Sequence, residues 1–376
     1  MSNETTTKNA LVSEAIASKF ATEKETPYTR WIAHEGLEII DAMWVQNLHT
    51  VELKPWARRG GKGVYLNHDA SRTSNDCYVC EIPPGSQLAP QRQLFEEMIY
   101  VLDGHGSTTV WNAAGQKVSF EWKAGAIFAI PLNTFHQHFN GSGKAAARFV
   151  AVTNGPPIIN AFGDVDFVFN CEHDFPNRFA GESDYFANKG EQKGLLLDTN
   201  FVADAINLPL MPAKERGAGG GHIRFSMAKG SMNSHISQFP VGTYKKAHMH
   251  GPGAHVIVLS GEGFSLMWPE GEEPSRFDWQ EGSMIVPPNM WFHQHFNTGA
   301  APARYLAFKA EGVSIRNAQG VPKAWISRRV GGHQVDYADE PPLVRETFAQ
   351  ALAKVGLQPR MAEAYEAELA DLPPKS

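Results

Sequence analysis

Short runs of β-branched and aromatic residues, cut at close intervals by glycine and proline, set the rhythm of this chain. EMIYVLDGHGSTTVW and HVIVLSGEGFSLMW are two such runs, each broken by a glycine turn, and GAIFAIPLN and GSMIVPPNM are shorter ones that stop at a proline. Residues of this kind suit a pleated, half-buried surface, and glycine and proline supply the turns between strands. Neither group contains the helical stretch that a crossover between parallel strands needs, so the pattern predicts an antiparallel barrel or jelly roll. Helical periodicity is confined to the ends, in LVSEAIASKFA near the start and in PLVRETFAQALAKVG and MAEAYEAELA near the finish. These segments are expected to pack against the barrels or a partner subunit. Between the two groups, from about Thr153 to Met232, FGDVDFVFNCEHDF and a GAGGG run read as extended linker and strands leading into the second core.

The two groups are copies of one unit. FHQHFN is spelled twice, and Phe292 minus Phe135 is 157; Gly242 and Gly85, Gly261 and Gly104, Gly282 and Gly125, and Pro288 and Pro131 keep the same offset. An offset held from Gly85 to Asn140 without net insertion marks a duplicated domain. The predicted organisation is an N-terminal, partly helical extension over 1–50, a first barrel over 51–160, a linker with strands over 161–230, a second barrel over 231–315 and a partly helical C-terminal extension over 316–376.

Chemistry concentrates in the second copy. Gly242 is followed after five residues by His248 and then His250, and alternation along a strand sends both imidazoles to one face. Further on, Gly282 leads through Pro288 to His293 and then Asn297. This resembles the two motifs of the cupin superfamily, G-x5-H-x-H-x3/4-E-x6-G and G-x5-P-x-G-x2-H-x3-N, with Met290 in place of the second glycine and Ala254 at the glutamate position. The resemblance covers roughly Gly85–Asn140 and Gly242–Asn297. It implies two tandem cupin (jelly-roll) barrels, an all-β fold with short flanking helices, with His248, His250 and His293 converging on one metal inside the second barrel. His255, next to Ala254, either supplies a fourth ligand or, if the strand keeps the first copy's register, points to the opposite face. Three histidines without a glutamate also resemble the gentisate and hydroxynaphthoate dioxygenases, bicupins that use ferrous iron.

The first copy has Gln91 and Gln93 where the second has its histidine pair, while Glu97 and His136 remain. Amide oxygens are weak ligands for transition metals, so a barrel without metal is expected there. The rival is a weak second site built from Glu97, His136 and His138. His295, two residues beyond His293, is expected to face the same interior, as a group supporting the ligands or as a general base; its presence in both copies favours a structural role. Tyr244 and Lys246 share parity with His248, which puts Tyr244 at the pocket mouth, with a solvated strand end the expectation for Lys246. Asn140 and Asn297 read as turn residues.

Composition narrows the partners. A net charge of −6 leaves no basic excess for neutralising phosphates, which argues against nucleic acid. No apolar run is long enough to span a membrane, and MSNETTTKNALVSEA lacks the pattern of a signal peptide, so a cytoplasmic protein is expected. Cys77 and Cys80 lie three apart on a predicted strand, hence on opposite faces, and cannot share a metal; Cys171 stands alone. The resulting expectation is one divalent transition metal per chain, Fe(II) first, with Mn, Zn, Ni or Cu as alternatives. A small-molecule substrate and a homo-oligomer complete it. The function expected is a non-haem iron dioxygenase of a small aromatic or enolisable compound. The alternatives are a hydrolase, lyase or isomerase on the same site, or a non-catalytic accessory protein that binds a small molecule.

Overall fold

The computed structural model describes residues 25–67, 74–251, 253–310 and 315–374. In the first half, the strands Gly61–Leu66, Asp76–Ile82, Ala147–Thr153, Glu97–Asp103 and Ile127–Ile130 lie side by side in one sheet. Phe135–Asn140, His105–Trp111 and Lys117–Lys123 form the facing sheet. The second half repeats this with Gly221–Ser226, Asn233–Phe239, Ala303–Lys309, His255–Ser260 and Met284–Ile285 against His248–Met249, Phe292–Asn297, Glu262–Trp268 and Ser275–Gln280. The chain is all-β, two tandem jelly-roll barrels with short flanking helices.

Side chains on alternate strand positions divide between two cores. Cys80, Phe128 and Phe149 fill the first barrel, whereas Cys77, Val79 and Val150 pack outward against Ile257, Leu306 and Phe308 of the second. The seam between barrels is therefore the apolar outer face of one large sheet laid on that of the other. The two cysteines fall on opposite faces: Cys77 Sγ lies 3.9 Å from Met284 Sδ across the seam. Burial pushes both thiols up, Cys80 to about 12. Short exchanged strands tie the seam together. Trp44–Val45 pairs with Met284–Ile285, and Phe201–Val202 pairs with Ile127–Ile130, so the segment before each barrel closes an edge of the other.

The stretch after Ala147–Thr153 departs from the extended reading. Gly155–Phe162 and Val165–Asn170 are helices. Two prolines occupy the first turn of the former, where no N–H is needed, and Gly163 closes it at φ 66°. The Asp164 carboxylate then accepts from Phe167 N–H to start the next helix. Local capping outweighs the aromatic, strand-like composition. At the chain's start, Pro27–His34 is a helix, while LVSEAIASKFA lies outside the described residues.

The C-terminal helices Pro342–Lys354 and Ala362–Asp371 cover the outer face of the second barrel's smaller sheet. Val344, Phe348 and Leu352 pack on Phe264, Leu266 and Phe296. Beneath them Glu340 accepts from Tyr244 Oη at 2.7 Å and from Gln294 Nε2 at 2.6 Å. Burial pushes the Glu340 carboxyl up to about 8, since the charged form is poorly solvated there. Its folded pKa lies above its unfolded one, near 4.3, so folding favours the protonated form. Stability is full at acid pH and falls between about pH 4 and pH 8, by at most about 1.4 kcal/mol per unit from this group. Glu340→Gln is expected to flatten that slope. Melting curves at pH 5 and pH 8.5 should show a gain over the parent at the higher pH only.

Candidate metal centre

The strand leading to the histidine pair carries a kink that determines which side chains enter the second barrel. Tyr244 faces Phe296 across the ladder, whereas His248 faces His293. One residue is thus extra between them, a β-bulge, and it reverses the alternation. Lys245 and His248 enter the barrel; Tyr244 and Lys246 leave it. The first barrel has the same bulge, with Gln87 opposite Phe139 and Gln91 opposite His136. Tyr244 is accordingly not a pocket residue. It is fully buried under the C-terminal helices, stacked on Phe296 and bonded to Glu340 and Tyr365. Lys246, expected to be solvated, is instead ion-paired with Glu368 at 2.6 Å and Asp336 at 3.6 Å.

His248, His250 and His293 converge. One nitrogen from each lies within 4.8 Å of the others, and among the described residues no other trio of His, Cys, Asp or Glu meets that spacing. His248 and His293 aim Nδ1 at the carbonyls of Lys246 (3.2 Å) and Trp291 (3.1 Å). These contacts fix the rings and leave the lone pair on Nε2, as in metal-ligating histidines. Burial holds all three imidazoles below their ordinary range, His293 at about 4, and Arg216 depresses them further. They are neutral at neutral pH, which is the ligating form. Three neutral imidazoles gathered this closely fit a divalent transition metal.

Met290, at the position of the motif's second glycine, adopts φ 60°, and its N–H donates to the His250 carbonyl at 3.0 Å. Asn133 holds the equivalent left-handed position in the first barrel at φ 54°. A side chain is strained in that region, more so for methionine than for asparagine. Met290→Gly should therefore stabilise the protein by roughly 0.5–1 kcal/mol in urea denaturation, the relief exceeding glycine's entropic cost.

The three histidines line a cavity of about 370 Å³ whose other walls include Arg216, Arg224, Lys309, Arg316, Tyr305 and Trp325. Among the described residues, no Asp or Glu lines it. Arg216 is its dominant charge: buried, it donates from Nη2 to His248 Nε2 at 2.6 Å and from Nη1 to the Ala324 carbonyl at 2.7 Å. That hydrogen bond and a metal on the same nitrogen exclude each other. For His248 Nε2 to hold a metal, the guanidinium would have to give up this contact. Sequence reading missed Arg216, yet the repeat offset reaches it: Arg59–Gly60 and Arg216–Gly217 are also 157 apart.

Ala254 and Val256 line this cavity, and His255 between them does not. The strand keeps the first copy's register, so His255 points into the seam between barrels, where its Nδ1 lies 2.9 Å from Asn75 Nδ2. The fourth-ligand alternative for His255 fails on parity. His295 does face the interior and lines the cavity, with Nδ1 at 2.7 Å from Ser265 Oγ, which also accepts from Trp279 Nε1 at 3.0 Å. His138, Thr108 and Trp122 make the same relay in the first barrel, at 2.8 and 2.9 Å. A relay present in both barrels links three neighbouring strands of the smaller sheet of each, whatever else His295 does. Asn297, like Asn140, bridges carbonyls of the adjoining loops, at Pro240 and Ala301.

In the first barrel the glutamines and Glu97 are engaged with other side chains. Glu97 accepts from Tyr78 Oη and from Gln93 Nε2 (3.0 Å), and Gln91 accepts from Arg58 at 2.7 Å. His136 Nε2 stops 3.7 Å from Glu97 Oε2, and His138 is committed to Thr108. Trp56, Tyr65 and Tyr78 fill the remaining space. The trio of Glu97, His136 and His138 does not assemble a second metal site.

No protein-family model matches the sequence, and no curated protein matches it. Among solved structures the chain is similar to Bacillus subtilis oxalate decarboxylase, described with Mn(II) centres. Identity is 13% over 72% of this chain and 78% of that one, with a TM-score of 0.48. A mutant of the same enzyme gives 12% identity, the same coverage and a TM-score of 0.47. At such identity and overlap, similarity carries neither activity nor metal from one chain to the other. The two tandem jelly-roll barrels follow from the strand order of the sheets.

Proposed function

We propose that this bicupin is a metal-dependent enzyme whose second barrel binds one divalent transition metal through His248, His250 and His293. Iron(II) is the ion proposed, and the reaction is a dioxygenase cleavage of a small aromatic or enolisable substrate carrying a carboxylate. The observation that carries this reading is the cluster of three neutral imidazoles in a cavity whose charged lining, among the described residues, is cationic. A metal held on one side by three imidazoles keeps positions for a chelating substrate and for oxygen.

The chain's own residues supply binding and exclusion. Arg216, Arg224, Lys309 and Arg316 attract and orient an anion. Trp325 and Ala307 provide apolar wall for a ring. A lyase reaction on a carboxylate keeps the same demands as the dioxygenase and is the second reading.

Elemental analysis of the chain purified without added metal should find about one iron per chain. Oxygen consumption with gentisate should depend on that iron. Iron or manganese with carbon dioxide release and no oxygen consumed would replace the dioxygenase by the lyase. A chain that takes up no metal under any loading would leave a small-molecule binder.

A further inference from the structure

The two barrels are an internal control for one another, and they differ at three touching positions deep inside. In the first barrel, Leu88 N–H donates to the His138 carbonyl; in the second, Lys245 N–H donates to the His295 carbonyl. Phe149 pairs with Val101 and Cys80, and at the same places Tyr305 pairs with Val258 and Ser237. Leucine, phenylalanine and cysteine in the metal-free barrel thus stand against lysine, tyrosine and serine in the barrel with the histidine cluster. All six are buried. Burying an ammonium and a phenol where leucine and phenylalanine pack equally well costs stability. At these three positions the second barrel bears that cost beside its histidine cluster.

The geometry is specific. Lys245 Nζ stands 5.1 Å from the Tyr305 ring centroid, and the Lys245 and Ser237 side chains are the partners of the Tyr305 hydroxyl. No carboxylate is among the groups acting on Lys245, which are Tyr305 and Arg216. Tyr305 lines the same cavity as the three histidines. The other groups facing it are Arg216, the His295 ring at 5.2 Å and the His235 ring at 6.0 Å; His222 bonds Ser237 Oγ at 2.8 Å. Among the described residues, the groups around Tyr305 are cationic or neutral. Burial alone would raise the phenol, but Lys245 and Arg216 outweigh it and bring it below its ordinary range.

We propose that Tyr305, with Lys245 behind it, accepts the proton that a substrate hydroxyl loses on entering the second barrel. The inference rests on the enzymatic reading above. Tyr305 acts from its phenolate form: the O–H bond of the substrate breaks, its proton passes to the phenolate oxygen to give the neutral phenol, the substrate oxygen keeps the electron pair, and Lys245 keeps its own proton throughout. The substrate class is thereby narrowed to compounds with a hydroxyl next to the carboxylate. On product release the proton returns to the product or to water.

The test uses the full chain as Tyr305→Phe and Lys245→Met. In an ultraviolet difference titration at the tyrosinate band, one of the nine tyrosines should ionise below the rest. That component should vanish in Tyr305→Phe and move up by a unit or more in Lys245→Met. With gentisate as the probe, Tyr305→Phe should lose about 100-fold in kcat while keeping its metal, and the lower limb of the pH–rate profile should shift with Lys245→Met. A titration in which Tyr305→Phe removes no early component overturns the proposal, as does parental turnover by that variant. A parent chain without metal or turnover defeats the enzymatic reading alone; the titration still decides the pair. Should Lys245→Met fail to fold, the near-isosteric Tyr305→Phe is sufficient.

Discussion

A chain carrying His248→Ala will come off a metal-loading column nearly empty, while Gln91→Ala will carry as much metal as the parent. The two substitutions remove side chains from the same position of the two repeats, so the comparison holds fold and location constant and varies only the ligand. Losing one of three imidazoles removes a ligand bond and should weaken metal affinity by roughly 100-fold or more. Gln91 spends its amide on Arg58 and Gln93, and its loss exposes no metal. Structural damage is separable from ligand loss by melting each chain in chelator, where both variants should stay within a few degrees of the parent. Equal metal loss in the two chains would falsify the assignment of the active barrel.

Arg216→Met should have opposite effects on metal and on substrate. Methionine keeps the stem length and the packing over Trp325, whose ring lies 5.0 Å from the guanidinium carbon. The change removes a buried cation next to the ligand cluster and frees His248 Nε2 from its hydrogen bond. A divalent ion then meets less repulsion and no competing donor, so metal affinity should rise about tenfold. An anionic substrate loses its nearest fixed cation, so KM should rise about 100-fold, equivalent to about 3 kcal/mol. Arg216 also holds the Ala324 carbonyl and Gln334, and Arg216→Lys serves as the control that keeps charge without the fork. Competitive metal titration and steady-state kinetics read the two effects separately. Weaker metal binding together with an unchanged KM would show Arg216 to be scaffolding.

Parity arguments from sequence held where the strands are regular and failed where they bulge. Along Asp76–Ile82 alternation separated Cys77 from Cys80 correctly, and along His255–Ser260 it was the register of the first copy that sent His255 away from the cavity. Between Tyr244 and His248 one unpaired residue reverses the faces, which exchanged Lys246 for Lys245 and Tyr244 for a position under the C-terminal helices. A bulge leaves no mark in a single copy of the sequence. Arg216 and Tyr305 went unnoticed for a different reason. They lie about thirty residues before and twelve after the motif histidines, and only strand pairing brings them to the same cavity.

Periodic apolar runs, turn residues and a constant repeat offset determined from the sequence alone that this is a duplicated antiparallel β protein, and that one copy carries the imidazoles. Those signals are local, since strand propensity, turns and alternation act over a few residues. Tertiary structure alone decided which charged groups surround the histidines, which barrel edge each linker closes, and that Lys245 rather than Lys246 turns inward. Such matters depend on register and on contacts between residues far apart in the chain, where a shift of one position exchanges the buried face for the exposed one.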